Sequence, residues 1–316
     1  KGREYALHCR RSAPGAPETV ILDENDRAKG HEYYRAGAVT PSPDGKILAV
    51  AEDSVSRRIY TLRFRDLDTG LFLPDEIPGV APVAVWSNDG GHVFYVRKEE
   101  GTLREYQVWR HKMGTGSDTD QLVFEEKDSE FYTWVWKTRT DAFIVISSEQ
   151  TLSSEHRVIP ADSPTSSPKV FLPREAKHEH GIEHDGTRWL VRTNWNATNF
   201  RVMSVALDKT NDKSQWTDLV GASDEVFVRS VDAFKDYVVI GERRGGLPGL
   251  RVMPKGGSDP WSIAFDEPVY SAHLGTNFQY DTQSIRYGYT SLTTPSSVFD
   301  YDIASKISTL RKAMGS

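Results

Sequence analysis

A tight Asp-Gly turn recurring at a near-constant stride, four short strand-like runs per stride, and a repeat filling nearly the whole chain predict an all-β fold, a seven-bladed β-propeller. The clearest turns are Pro43-Asp44-Gly45, Asn88-Asp89-Gly90 and His184-Asp185-Gly186. The first two lie 45 residues apart and the next pair 96, which is two strides of 48. Weaker turns at Thr140-Asp141, Lys235-Asp236 and Asp281-Thr282 fill the gaps. A period of ~40–50 residues with four strands each is the mark of propeller blades.

The first complete blade shows the logic. Residues 38–41 are small, as an innermost strand in a crowded centre must be. After the Asp-Gly turn, Ile47-Leu48-Ala49-Val50-Ala51 is an unbroken apolar run, expected for a strand covered on both faces. Residues 58–65 alternate polar and apolar, as a half-exposed strand does, and the Asp68-Thr69-Gly70 turn leads to an outermost strand at 71–73. The second blade reads as 83–86, 92–97, 106–111 and 121–124, and the third as 131–136, 142–146, 155–159 and 169–172. The fourth reads as 180–183, 188–192, 201–206 and 216–220. The fifth is 226–231, 237–241, 250–253 and 261–265, and the sixth 270–274, 284–289, 297–301 and 307–310.

Residues 5–9 and 19–22 read as the third and fourth strands of an earlier blade, whose central turn would fall before Lys1. The expected organisation is therefore one propeller domain over 1–316: a partial first blade at 1–36 and six full blades at 37–316. Residues 164–168 and 211–214 read as surface loops within blades, not linkers.

At this length a chain buries roughly 75% of its unfolded surface, so neither disulfide nor metal is needed for stability. The net charge is −6 with both signs interspersed, which lacks the basic stripe that nucleic-acid binding requires. No apolar run approaches ~18 residues, so no membrane helix is expected. Lys1-Gly2-Arg3-Glu4-Tyr5 is charged and strand-like rather than a signal peptide. A single cysteine, Cys9, excludes an intrachain disulfide and fits a reducing, cytoplasmic setting.

The chemistry-bearing motifs are few. There is no Gly-x-Ser-x-Gly elbow and no glycine-rich phosphate loop between a strand and a helix. Gly241-Glu242-Arg243-Arg244-Gly245-Gly246 reads as a hairpin loop. His178, His180 and His184 admit two readings, a polar inner strand or a metal cluster, although their spacing matches no closed zinc motif. Asn196-Ala197-Thr198 is a formal glycosylation acceptor or a plain loop. The eight tryptophans suit inter-blade packing better than a carbohydrate platform. Charges cluster beside inner strands at Glu32, at Glu52-Asp53, at Ser56-Arg57-Arg58, at Glu125-Glu126-Lys127-Asp128 and at Glu242-Arg243-Arg244. Most would be solvated loop residues. An arginine can still hold a carboxylate by a bidentate pair, so Arg57 and Arg58 are candidate latches or substrate clamps.

Ala51-Glu52-Asp53 with Ser56-Arg57-Arg58, Tyr95-Val96-Arg97-Lys98, residues 106–111, residues 125–128 and residues 286–295 together resemble oligopeptidase B, the protease II branch of the prolyl oligopeptidase family. The resemblance runs through the whole chain in order. It implies a seven-bladed propeller without a closing strand clasp, capping an α/β-hydrolase domain that carries a Ser, Asp and His triad. It further implies cleavage of short peptides after Arg or Lys, with short basic peptides and that hydrolase domain as partners, and no cofactor. Because the chain stops at Ser316, the resemblance places all three triad residues outside it, so this chain alone is expected to be non-catalytic. It also places Glu32 and Arg58 on the face toward the active site, with Arg57, Glu52 and Asp53 as neighbours.

Two other functions compete. A free-standing propeller scaffold would bind a protein partner on one face, and a stable partner other than a hydrolase domain would favour it. A carboxylate glycosidase would need paired acids, for which Glu32, Glu52 and Glu183 are candidates, and activity on aryl glycosides would reveal it.

Overall fold

The computed structural model describes residues 4–13 and 15–314, and the strand-like reading of Lys1, Gly2 and Arg3 lies outside them. Glu4 and Tyr5 form a bend rather than a strand. Strands β1 (Leu7–Arg10) and β2 (Thr19–Asp23) pair antiparallel as a two-stranded sheet. The one-turn α1 (Glu24–Arg27) follows, capped by Asp23, whose carboxylate accepts the Asn25 N–H at 2.8 Å.

The next strands are β3 (Arg35–Pro41), β4 (Ile47–Asp53), β5 (Tyr60–Asp66) and β6 (Phe72–Val80), then β7 (Val85–Trp86), β8 (His92–Lys98), β9 (Glu105–Lys112) and β10 (Gln121–Glu125). These two sets of four are the first two repeats. They are not separate sheets: β6 runs well past residue 73, and Val80 pairs with Arg97 of β8, joining all eight strands. Two register shifts against β5 disturb the β6 ladder, and such irregularities bend a strand away from its neighbour.

The third repeat is β11 (Tyr132–Lys137), β12 (Phe143–Gln150), β13 (Ser153–Pro160) and β14 (Lys169–Val170). The fourth is β15 (His180–His184), β16 (Trp189–Thr193), β17 (Arg201–Val205) and β18 (Thr217–Val220). The fifth is β19 (Val226–Ala233), β20 (Tyr237–Arg244), β21 (Leu247–Pro254) and β22 (Trp261–Ser262). The sixth is β23 (Tyr270–Leu274), β24 (Ser284–Ser291), β25 (Ser297–Asp302) and β26 (Ile307–Ala313). Each of these four is a four-stranded sheet in sequential order. Contacts divide the chain into two units: Lys1–Lys137, Phe143–Gln150 and Arg157–Lys169 form one, and Thr138–Ala142, Thr151–His156 and Val170–Ser316 the other.

Side-chain burial follows the sequence pattern. In the first unit Leu48, Ala49, Val50 and Ala51 of β4 are fully buried, while β5 buries Tyr60, Leu62 and Phe64 alternately. In the second unit Val239, Leu250, Val252, Ile285 and Tyr287 share one core. Trp86, Trp189 and Trp216 are buried, as packing requires, but Trp134 is 41% exposed.

The repeating turn has a chemical cause that the Asp-Gly pair alone does not display. The Ser42 hydroxyl donates to the Asp44 carboxylate at 2.6 Å and accepts the Ile47 N–H, while Gly45 takes φ +70°. Ser87, Asp89, His92 and Gly90 repeat the arrangement one stride later. In the fourth repeat Asp185 does the work alone, accepting the N–H groups of Thr187 and Arg188 at 3.0 Å.

Gly37 sits at a bulge in β3. A Cβ there would fall 2.4 Å from the Pro82 Cβ and 2.6 Å from the Tyr60 ring. Gly37→Ala is therefore expected to destabilise the first unit by about 1–3 kcal/mol through overpacking, seen as a lower urea midpoint. An unchanged midpoint would contradict the packing described.

Candidate functional site

The five residues singled out from sequence fall into two sets, both in the first unit. Glu52 and Asp53 end β4 and point inward, with 8% and 2% exposure. Glu32, Arg57 and Arg58 are exposed.

Glu52 is an anchor rather than a free acid. Arg27, delivered by α1, binds it bidentately, Nε to Oε1 at 2.7 Å and Nη2 to Oε2 at 2.8 Å. The Tyr34 hydroxyl donates to Oε1 at 2.6 Å, and Arg63 stands 3.8 Å from Oε2. The bond from Glu52 raises the Arg27 guanidinium above its ordinary value despite partial burial. Burial, then the bond to Glu52, pushes the Tyr34 phenol well up. With both carboxylate oxygens engaged, Glu52 cannot serve as a glycosidase acid.

Asp53 shapes the loop that joins β4 to β5. Its Oδ1 accepts the Val55 N–H at 2.9 Å and its Oδ2 the Arg58 N–H at 2.8 Å. This capture holds Arg58 at φ +57°, so β5 begins at Tyr60 instead of at Arg58 as the alternation had suggested. Ser56 is also left-handed, at φ +58°. The loop displays the Arg57 and Arg58 side chains together with Val55, 65% exposed, and Ile59, 40% exposed. Lys98 of β8 donates to the Arg58 carbonyl at 2.8 Å and pairs with Glu105 of β9 at 3.1 Å. Beneath the loop, burial raises the Tyr60 phenol, with Arg35, Asp53, Tyr33 and Arg58 around it.

Glu32 lies in a bend ahead of β3, and among the described residues no hydrogen bond or ion pair joins it to the other four. The structure thus brings Asp53 and Arg58 together, seats Glu52 apart with Arg27 and Tyr34, and leaves Arg57 and Glu32 displayed to solvent. Sequence reasoning missed Arg27, Tyr34, Lys98 and Glu105. Only Lys98 carried a signal, as the second of two charges, with Arg97, that close the apolar run 93–96.

The other charge runs are more ordered than solvated loops would be. Glu126 is buried, and Arg104 ties its segment by donating to the carbonyls of Asp128 at 3.1 Å and Phe131 at 3.0 Å. Gly241 to Arg244 belong to β20, and only Gly245 and Gly246, at φ +55° and +86°, form the turn. Glu242 is paired with Arg251 across the hairpin.

The histidine group lies in the second unit. His178 and His180 are buried and stacked 4.8 Å apart. The His178 Nε2 meets the Thr193 hydroxyl at 2.8 Å, the His180 Nδ1 the Ser154 hydroxyl at 3.1 Å, and the His184 Nδ1 the Thr140 hydroxyl at 2.7 Å. Burial lowers all three imidazoles. Neutral rings bonded to hydroxyls fit the polar inner-strand reading, and no group of three or more potential ligands is arranged for a metal among the described residues.

Repeated four-stranded antiparallel units in sequential order are the architecture of a propeller domain, and comparison with known proteins gives its family. The chain belongs to the prolyl oligopeptidase family: residues 1–314 match its N-terminal β-propeller domain. It is 40% identical to dipeptidyl aminopeptidase BI of Pseudoxanthomonas mexicana, over 95% of this chain and 43% of that protein. It is 30% identical to protease 2 of Moraxella lacunata, over 96% of this chain and 44% of that protein. The structure of oligopeptidase B from Leishmania major superposes with a TM-score of 0.92 at 27% identity, covering 99% of this chain and 46% of the other. The closed form of oligopeptidase B from Trypanosoma brucei, with covalently bound antipain, gives the same score and identity. The chain spans less than half the length of these relatives. No helix among the described residues is long and apolar enough to cross a membrane.

Proposed function

We propose that this chain is the substrate-restricting propeller of a serine oligopeptidase that cleaves short peptides after Arg or Lys. In this reading the propeller admits thin, flexible peptides to an α/β-hydrolase domain of the same parent protein, where the nucleophile, base and orienting carboxylate reside. Hinge closure of the two domains would be biased by charge pairs between them, with Arg58, Arg57 and Glu32 on the propeller side and Glu52 and Asp53 supporting them. The observation that carries this reading is the match to oligopeptidase B over 99% of the chain, combined with a loop that fixes Arg58 while exposing its side chain. The unpaired Cys9 supports a reducing, cytoplasmic setting.

A second reading has its own support in the 40% identity to a dipeptidyl aminopeptidase, which needs a free substrate amine. One assay on the full-length protein separates them. An N-blocked Arg-Arg amidomethylcoumarin substrate should be cleaved at least as well as its free-amine counterpart. Cleavage of the free-amine substrate alone would replace the first reading with the second. In the same assay Arg58→Ala should cut kcat/KM about tenfold, the scale of one charge-assisted contact. Unchanged kinetics would remove Arg58 from the site.

A further inference from the structure

Among the loops of the first unit, the one between β4 and β5 is held in an unusual way. Ser56 and Arg58 both occupy the left-handed region, where an L-residue's Cβ crowds the backbone. The Asp-Gly repeat turns put glycine at such positions, as at Gly45 and Gly90. Here the second residue is instead an arginine with an exposed side chain.

A non-glycine residue stays in that conformation only when its surroundings over-determine it. Arg58 is gripped at both ends of its own residue: Asp53 accepts its N–H at 2.8 Å, and Lys98 donates to its C=O at 2.8 Å. Neither grip is a mobile surface group. Asp53 is 2% exposed, and the Lys98 side chain 9%. Lys98 and Glu105 are directly opposed in the β8–β9 ladder, so their ion pair is fixed by strand register. Side chains from β4 and β8 thus converge on one peptide segment, the β8 lysine backed by Glu105 of β9.

We propose that Asp53, Lys98 and Glu105 are positioning residues that hold the Arg58 backbone left-handed, so that its guanidinium is set in advance to take a carboxylate. The ligand chemistry follows from the group: a planar fork of donors beside the exposed Arg57, suited to two-point binding of a carboxylate. Fixing the backbone removes the loop's share of the ordering cost on binding and leaves the side chain's rotamers as the remaining share. The carboxylate has two sources, the free C-terminus of a peptide substrate or an acidic side chain of the parent protein's peptidase domain. The assignment rests on the oligopeptidase reading for its partner, whereas the clamp itself does not.

The test uses the full-length protein and two readouts. Amide hydrogen exchange over residues 54–59 reports the clamp, and steady-state kinetics on a short basic peptide, as free acid and as C-terminal amide, report its use. Lys98→Met should speed exchange in the loop about tenfold, the scale of one lost hydrogen bond to a charged group. It should also raise KM about three- to tenfold with kcat nearly unchanged, and Lys98→Arg should restore most of both. In an Arg58→Ala background Lys98→Met should add no further kinetic change. Loss of the preference for free acid over amide in Arg58→Ala assigns the carboxylate to the substrate, and an equal KM rise for both assigns it to the protein. Unchanged loop exchange in Lys98→Met overturns the clamp whatever the kinetics. Faster exchange with unaltered kinetics in both single variants leaves the clamp standing and overturns its assigned partner. Should Lys98→Met not fold, Asp53→Asn probes the same grip from the N–H side, with the same outcomes.

Discussion

Replacing His111 with leucine should cost the first unit about 3–5 kcal/mol at pH 6, the range for removing one partner from a buried ionic group. His111 is fully buried on β9, with its Nδ1 2.7 Å from Asp120 and its Nε2 3.2 Å from Asp75. A ring flanked by two carboxylates satisfies both only when both nitrogens carry protons. The second oxygen of Asp120 accepts the Tyr95 hydroxyl at 2.8 Å, and Asp75 accepts the Gly114 N–H at 2.6 Å, so the carboxylates are themselves fixed. Burial opposes the charge, but the bonds to Asp120 and Asp75 outweigh it and hold the imidazole above its ordinary 6.5. A raised histidine contributes stability that is fully present below the unfolded value and fades as pH climbs through the folded one. Urea unfolding of the two proteins at pH 6 and pH 9 should therefore show a gap that narrows at the higher pH. A gap that fails to narrow from pH 6 to pH 9 would mean that the ring is neutral in the folded state.

The opposite sign is expected in the second unit, where Glu183→Gln should stabilise at alkaline pH. Glu183 on β15 has its carboxylate 3.6 Å from Arg139, but that guanidinium is committed elsewhere: to Asp232 at 3.0 Å and to the carbonyls of Ala233 and Asn277 at 2.8 Å. Burial pushes the Glu183 carboxyl up to about 8, with Arg139 pulling down and Asp232 pushing further up. A carboxyl raised on folding keeps a proton that the unfolded chain has released, so stability falls as pH rises from about 4.5 to about 8. Glutamine removes that loss, and the gain at pH 9 should be on the order of 5 kcal/mol, since every tenfold weakening of the acid on folding corresponds to about 1.4 kcal/mol. Thermal midpoints of both proteins from pH 5 to 9 read it directly. A glutamine variant that is less stable at pH 9 would show that the ionised Glu183 is a net partner of Arg139.

These two groups illustrate what the sequence disclosed and what it withheld. The strands were legible because burial on both faces leaves an unbroken apolar run, as in residues 47–51, and half-burial leaves alternation, as in residues 60–64. The exposed arginines 57 and 58 were legible because they sit between two such runs. Glu52 and Asp53 were legible as charges closing a buried strand, but their partners were not. A charge closing a buried strand looks the same on paper whether it meets substrate or an internal partner. What decides is Arg27, 25 residues earlier, and Tyr34, 18 residues earlier. Lys98 acts on a carbonyl 40 residues upstream, and Asp75 on a ring 36 residues downstream. Pairings of that reach are set by how strands stack, which periodicity along one strand does not encode.

The rung between Val80 and Arg97 carries a consequence for how the molecule comes apart. Two repeats joined by a backbone rung cannot part without first breaking a strand pair. Under a pulling force, or during slow native-state deuteration, they should yield as a single block, while the later repeats open one at a time.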